Sequence, residues 1–165
     1  MTSLNPRTYD STPSQKLAFL GLGVMGYPMA GHLALAGHSV AVYNRSAAKA
    51  GDWLREISPQ ASAAVRKAAT PRDAAAGADI VLCCVGNDDD LRSVVLGPDG
   101  AFAGMAEGAV FVDHTTASAD VARELARLGL ERGLPFIDAP VSGGQGGAQN
   151  GALTVMCGGD AAAFQ

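Results

Sequence analysis

The sequence predicts a doubly wound α/β domain, a mostly parallel sheet with helices on both faces. Two observations carry this. Short runs rich in Val, Ile, Leu and Phe alternate with longer Ala-rich, helix-favouring stretches, the pattern of a parallel sheet covered on both sides. Gly21-x-Gly23-x-x-Gly26 stands directly after the first such run and directly before a helical stretch, as in the first strand-to-helix turn of a Rossmann-type sheet.

Taken in order, MTSLNPRTYDSTPSQ (1–15) is polar, with two prolines and neither a basic start nor an apolar stretch. It reads as a disordered tail and not as a secretory signal, which leaves 16–165 as one dinucleotide-binding domain. LAFL (17–20) is the first strand, and Met25 to Ala36 a helix closed by Gly37 in the left-handed stop position. SVAVY (39–43) is the second strand. Ser46 is placed as an N-cap for a helix through Trp53 and Ile57 that ends at Pro59. A third strand lies near AVRKA (64–68). Thr70-Pro71 opens a short helix through Ala76, threonine capping and proline at the first helical position, before DIVLCCV (79–85) runs as a strand. Asp88 to Leu96 is a further short helix, and 97–108 a glycine-punctuated connection with one helical turn. VFVDH (110–114) is a strand. From Ser118 to Arg132, Val121, Leu125, Leu128 and Leu130 fall near one helical face. FIDAPV (136–141) is the next strand, SGGQGGAQNG (142–151) a loop too glycine-rich to form a helix, and LTVMCGG (153–159) an edge strand.

Composition narrows the function. The chain has 165 residues, 48% hydrophobic and 17% charged, enough for one well-cored domain and short for two. A net charge of −4, with scattered Lys and Arg, argues against nucleic acid or anionic membranes as partners. No apolar run approaches the roughly 20 residues of a membrane span. Cys83, Cys84 and Cys157 have no zinc spacing and read as reduced, buried thiols, so a soluble, cytoplasmic protein is expected. The run Asn87 to Asp90 is explained by helix capping and the helix dipole rather than by a metal, and no metal site is assigned.

In the glycine loop, Gly21 permits the tight turn, Gly23 lets backbone N–H groups approach a pyrophosphate, and Gly26 lets helix and strand pack closely. At the end of the second strand, an Asp or Glu would bind the ribose 2′-hydroxyl of NAD. Asn44 stands there instead, followed by Arg45 and Ser46. A neutral amide does not repel a 2′-phosphate, a guanidinium matches its oxygens, and a hydroxyl adds a donor. The cofactor expected is NADP, with NAD weaker, and Lys49 one helical turn on adds positive charge. A second glycine-bearing segment, Asp138 to Gly144, ends a strand where open sheets collect ligands. There Ser142 could bind a carboxylate, with Gly143 and Gly144 adding backbone donors; a flexible connector is the competing reading.

Together GLGVMGYPMAGHL, YNRS, DHTT and DAPVSGGQGGAQNGALTVMCGG resemble the N-terminal domain of the β-hydroxyacid dehydrogenases, a family that includes 3-hydroxyisobutyrate dehydrogenase and, more distantly, 6-phosphogluconate dehydrogenase. The resemblance runs from about Lys16 to the last residue. It implies that Gly21, Leu22, Gly23, Val24, Met25 and Gly26 hold the pyrophosphate, and that Asn44, Arg45 and Ser46 hold the adenosine end. It places Thr116 near the nicotinamide, with Val85 and Gly86 touching the cofactor, although Gly86 replaces a common proline. Ser142, Gly143 and Gly144 match the substrate segment. The implied chemistry is hydride transfer between the nicotinamide and a small hydroxy acid, semialdehyde or keto acid.

The family handles its proton with a lysine in an all-helical second domain, and Lys16, Lys49 and Lys67 match none of that motif. By the resemblance, the lysine is expected beyond Gln165, so no catalytic residue is assigned within 1–165. His32, His38 and His114 are expected in structural roles. The 165-residue chain is expected to bind NADPH and turn over very slowly, and the full-length parent to be a homo-oligomeric NADP-dependent dehydrogenase. The alternative is a non-catalytic NADP-binding or interaction module.

Overall fold

Strand β1 (Lys16–Leu20) divides its side chains between two cores, and the architecture follows from that alternation. In the computed structural model, which describes residues 4–165, Leu17 and Phe19 enter one apolar cluster and Ala18 and Leu20 the other. Successive strand residues point to opposite faces, so β1 is covered on both sides, as a central parallel strand must be.

Its neighbours are β2 (Ser39–Tyr43) and β4 (Ile80–Cys83), both parallel to it, with Phe19 opposite Val42 on one side and Leu82 on the other. Outward from β2 lies β3 (Val65–Lys67); outward from β4 lie β5 (Val110–Asp113), β6 (Phe136–Asp138) and the short antiparallel β9 (Gly158–Gly159). The order is β3-β2-β1-β4-β5-β6-β9, and strand order reverses between β1 and β4. Ligands of such sheets bind at the carboxyl ends beside that reversal.

One face is covered by α1 (Gly26–Leu35) and α2 (Ala47–Ile57), which bury Tyr27, Ala30, Ala34, Trp53 and Ile57 against Val40 and Val42. The Trp53 indole N–H donates to the Tyr27 carbonyl at 3.2 Å, which satisfies the polar atom of a fully buried ring. The other face is covered by α3 (Pro71–Ala75), α4 (Asp88–Val95), α5 (Ala101–Gly104) and α6 (Ala119–Leu130). There Phe111 is stacked on Phe136 and meets Phe102 edge-on, both with ring centroids 5.6 Å apart.

The capping chemistry is visible at several helix starts. Thr70, Asn87 and Ser118 accept backbone N–H groups of Asp73, Asp90 and Val121, and Gly37 has φ +100°. Ser46 departs from expectation: it occupies the N-cap position of α2, yet its side chain caps nothing, and α2 continues into a 3-10 turn over Ser58–Gln60. The apolar face read on α6 holds for Val121, Leu125 and Leu128, whereas Leu130 is exposed at the end of the helix.

Further expectations are corrected. The strand read over 136–141 splits, because Pro140 has no N–H to give a ladder. β6 ends at Asp138, and β7 (Val141–Ser142) pairs instead with β8 (Thr154–Val155) in a separate two-stranded sheet. The edge strand read over 153–159 is correspondingly two pieces, β8 and β9, of which only β9 joins the main sheet. The segment read as a loop contains α7 (Gly144–Gln149). Gly143 and Gly144, with φ +133° and +62°, turn the chain into it, Ala148 is buried, and the Gln149 carbonyl is held by the Asn5 N–H and by His32 Nε2. Such tertiary anchors outweigh the roughly 1 kcal/mol cost of each helical glycine.

Those anchors overturn the reading of a disordered tail for residues 4–15; residues 1–3 of that stretch lie outside the described residues. The segment is irregular before β1 but docked. Leu4 packs against Gly31 and the α1/α2 cluster, Arg7 bonds the Gly151 carbonyl, and Tyr9 bonds His32 Nδ1. The thiols differ as well: Cys83 is buried and Cys84 half-buried, but Cys157 is exposed in the turn between β8 and β9. No helix among the described residues is long and apolar enough to cross a membrane.

α8 (Ala161–Phe164) closes the described chain, its first turn capped by the Asp160 carboxylate at 2.7 Å from the Ala162 N–H. Gln165 takes the C-cap position of that helix and is exposed.

Candidate functional site

The three glycines after β1 occupy three different surroundings. Gly21 has φ +96°, and a Cβ there would stand 2.2 Å from the Cys84 carbonyl, so the turn needs both a left-handed backbone and a bare one. At Gly26 a Cβ would lie 2.0 Å from the Gly21 carbonyl, so its absence lets the start of α1 close onto β1. Around a Cβ at Gly23, nothing among the described residues lies within 4 Å. Gly23 is exposed and stands just before α1, where the first N–H groups of a helix lack intrahelical partners.

Above this loop is a cleft of about 970 Å³ at the carboxyl ends of β1, β2 and β4. It gathers most of the residues expected to hold a cofactor. Gly21, Gly23, Val24, Met25 and Gly26 form its floor, Asn44, Arg45, Ser46 and Lys49 one wall, and Val85 and Gly86 part of the opposite wall. Leu22 is one exception: its side chain is fully buried in the α1/α2 cluster, and its N–H donates to Asn44 Oδ1 at 2.9 Å. Asn44 also donates from Nδ2 to the Ser46 carbonyl at 3.2 Å. Its amide thus stitches the glycine loop to the turn after β2. Arg45, by contrast, extends into solvent with a side chain 89% exposed, its nearest anion being Asp90 at 3.5 Å.

Other wall residues carry no cofactor signal in the sequence: Ala69, Thr70 and Pro71 at the start of α3, Asp90, Ser93 and Val94 on α4, and Pro98 to Gly100. Their common signal is position after β3 or β4, at the carboxyl edge of the sheet. The sequence reads Asp90 as part of the helix start alone. Its N–H does take the Asn87 cap, but its carboxylate faces the cleft.

Thr116 does not line this cleft and is exposed just beyond β5. Beneath it lies a buried polar cluster. Thr115 Oγ1 accepts the Val85 N–H at 3.1 Å, and Asp113 Oδ1 accepts the Thr115 N–H at 2.9 Å, which ties the ends of β4 and β5 together. Asp113 Oδ2 has no hydrogen-bond partner among the described residues, and burial pushes this carboxyl up to about 6. Burial likewise raises the Cys84 thiol to about 11. His114 is buried with Nδ1 2.7 Å from the Ala139 carbonyl, and burial lowers its pKa; it braces β6 against β5.

Ser142, Gly143 and Gly144 are exposed at the turn from β7 into α7 and lie outside the main cleft. The fold nevertheless brings their segment toward the glycine loop, because Gln145 shares a depression of about 700 Å³ with Gly23, Val24, Tyr27 and Lys49. Gln165, the residue beyond which the resemblance puts the family's lysine, lines neither the cleft nor this depression. Of Lys16, Lys49 and Lys67, only Lys49 reaches the cleft, on its β2 wall.

Comparison with known proteins agrees with this geometry. Residues 16–165 match the family described as the NAD binding domain of 6-phosphogluconate dehydrogenase. An uncharacterized oxidoreductase of Shewanella frigidimarina is 62% identical over 149 residues, covering 90% of this chain and 49% of that protein. The solved Mycobacterium tuberculosis 3-hydroxyisobutyrate dehydrogenase with L-serine superposes with a TM-score of 0.82 at 32% identity, covering 92% of this chain and 49% of that one. Psf3 in complex with NADP+ and 2-OPP gives 0.80 at 27% identity, covering 90% and 50%. The chain spans about half the length of the relatives it matches. With its strand order, glycine loop and cleft, the chain belongs to the 3-hydroxyisobutyrate dehydrogenase family, through a domain of the 6-phosphogluconate dehydrogenase NAD-binding type.

Proposed function

We propose that the cleft binds NADP(H) and that the chain is the nucleotide-binding part of a dehydrogenase or reductase acting on a small hydroxy acid, semialdehyde or keto acid. The observation that carries the cofactor assignment is the division of labour after β2. Asn44, in the position of a ribose-binding carboxylate, spends its amide on Leu22 and Ser46, while Arg45 is left as a solvent-facing cation on the cleft wall. That arrangement suits a 2′-phosphate and gives a bare 2′-hydroxyl no charged acceptor on the same wall. The bound nicotinamide would supply the hydride. This chain's contribution is binding and orientation, with Ser142 to Gly144 as the candidate substrate contact. The NADP+ complex of Psf3 and the L-serine complex of the mycobacterial enzyme support the reading by similarity.

The deciding experiment is titration of Arg45→Glu with NADPH and NADH. Loss of a charge-assisted phosphate contact predicts a roughly 10- to 100-fold weaker NADPH complex, with NADH changed by less than about threefold on the same scale. Equal losses for both would overturn the NADP assignment. The isolated 165-residue chain is expected to turn over very slowly, and robust semialdehyde reduction by it would refute that.

A further inference from the structure

The cleft carries its charges in opposition. Arg45 and Lys49 stand on the β2 side, and Asp90 and Asp99 on the side of α4 and the loop after it. Arg45 and Asp90 meet across the opening, Nη1 to Oδ1 3.5 Å, with the carboxylate the less exposed partner at 33%. Two local features put Asp90 there. Its backbone N–H takes the Asn87 cap at 2.9 Å, so the side chain has no capping duty. Residue 86 is glycine, and a Cβ at that position would stand 2.7 Å from Asp90 Oδ2 and push the carboxylate aside.

We propose that Asp90 sets cofactor discrimination: by holding Arg45 across the cleft it lowers the preference for a 2′-phosphorylated dinucleotide over one with a free 2′-hydroxyl. The proposal rests on the cleft being the dinucleotide site. A 2′-phosphate arriving at Arg45 must displace or share it with Asp90, and it brings a second dense negative charge toward a carboxylate in a partly desolvated cleft. A 2′-hydroxyl brings no charge and meets neither cost. Asp90 therefore opposes what Arg45 favours, and the balance between NADPH and NADH depends on both residues. Because the pair is solvent-accessible, the effect is modest and weakened by salt.

The test is Asp90→Asn in the full 165-residue chain, which keeps shape and removes charge. Binding of NADPH and NADH is followed by nicotinamide fluorescence at low and high salt, beside wild type, Arg45→Ala and the double variant. The expected result is roughly three- to tenfold tighter NADPH binding at low salt, with NADH shifted by less than about twofold. In the Arg45→Ala background the NADPH gain should shrink. An unchanged NADPH to NADH ratio, weaker NADPH binding, or a full-sized gain without Arg45 would overturn the role of Asp90. Failure of wild type to bind either dinucleotide would overturn the site assignment itself, which separates the two outcomes.

Discussion

Gly23 and Gly26 stand three residues apart and exclude a side chain for opposite reasons. At 26 the protein fills the space, with the Gly21 carbonyl 2.0 Å from a would-be Cβ; at 23 the space is open. Gly26→Ala must therefore separate α1 from β1, with a loss of roughly 2–4 kcal/mol in denaturant titration. Gly23→Ala should leave the unfolding midpoint nearly unchanged while abolishing dinucleotide binding, because its methyl group would enter the ligand's space. A Gly23→Ala protein that still bound NADPH like wild type would remove the glycine loop from the site. Asp113 offers a second test. Its carboxyl is raised by burial from an ordinary value of 3.8 to about 6. For an acid shifted upward, the native state is favoured while the group is protonated, so that stability is present below about pH 4 and lost as pH rises through about 6. Asp113→Asn removes the ionisation and preserves the acceptor for Thr115. Its stability relative to wild type should grow between pH 4 and 7 by up to about 3 kcal/mol. Parallel curves for the two proteins across that range would show that Asp113 does not titrate as its burial implies.

Elements differed in how far sequence disclosed them, and the difference has a physical cause. β1, β2, β4 and β5 are apolar runs that pack on both faces of the sheet, so their identity is written in their own residues; so too are α3 and α4, opened by capping side chains at Thr70 and Asn87. α7 is the reverse case. Four of its first positions and flanks are glycine, local propensity reads loop, and the helix exists through contacts from far away in the chain. The same partners dock residues 4–15, whose polar composition conceals a few well-placed anchors at Leu4, Arg7 and Tyr9. The two departures have one cause: an N-terminal strap and a glycine-rich helix hold each other against α1 through His32. Leu4→Ala should then cost about 1–2 kcal/mol, the range for a partly buried leucine. It should also speed amide hydrogen exchange in residues 144–151 more than in β1. Unchanged exchange in α7 would mean that the strap lies on the helix without supporting it.

At the scale of the molecule, the site belongs to both layers. The cleft floor is the start of α1, one wall is the turn into α2, and the other is built by α3, α4 and the loop after α4. The first two elements pack in the α1/α2 cluster and the others in the cluster on the opposite face. The floor and the β2 wall were readable because glycine spacing and the residue pattern after a strand are local in sequence. The α4 wall was not, since Asp90 lies about seventy residues from the glycine loop and reaches it only because β4 pairs beside β1. A ligand seated there bridges both layers and should stabilise the molecule as one cooperative unit. At a free concentration one hundred times its dissociation constant, NADPH would add about 2.7 kcal/mol, or about 5–10 °C in Tm for a domain of this size. The transition should stay single and move as a whole, because the sheet shared by the two cores has no seam along which one could melt first. Gly23→Ala should lose the shift while keeping the unliganded Tm. A wild-type Tm unmoved by saturating NADPH, or a shift retained in Gly23→Ala, would place the nucleotide somewhere other than this cleft.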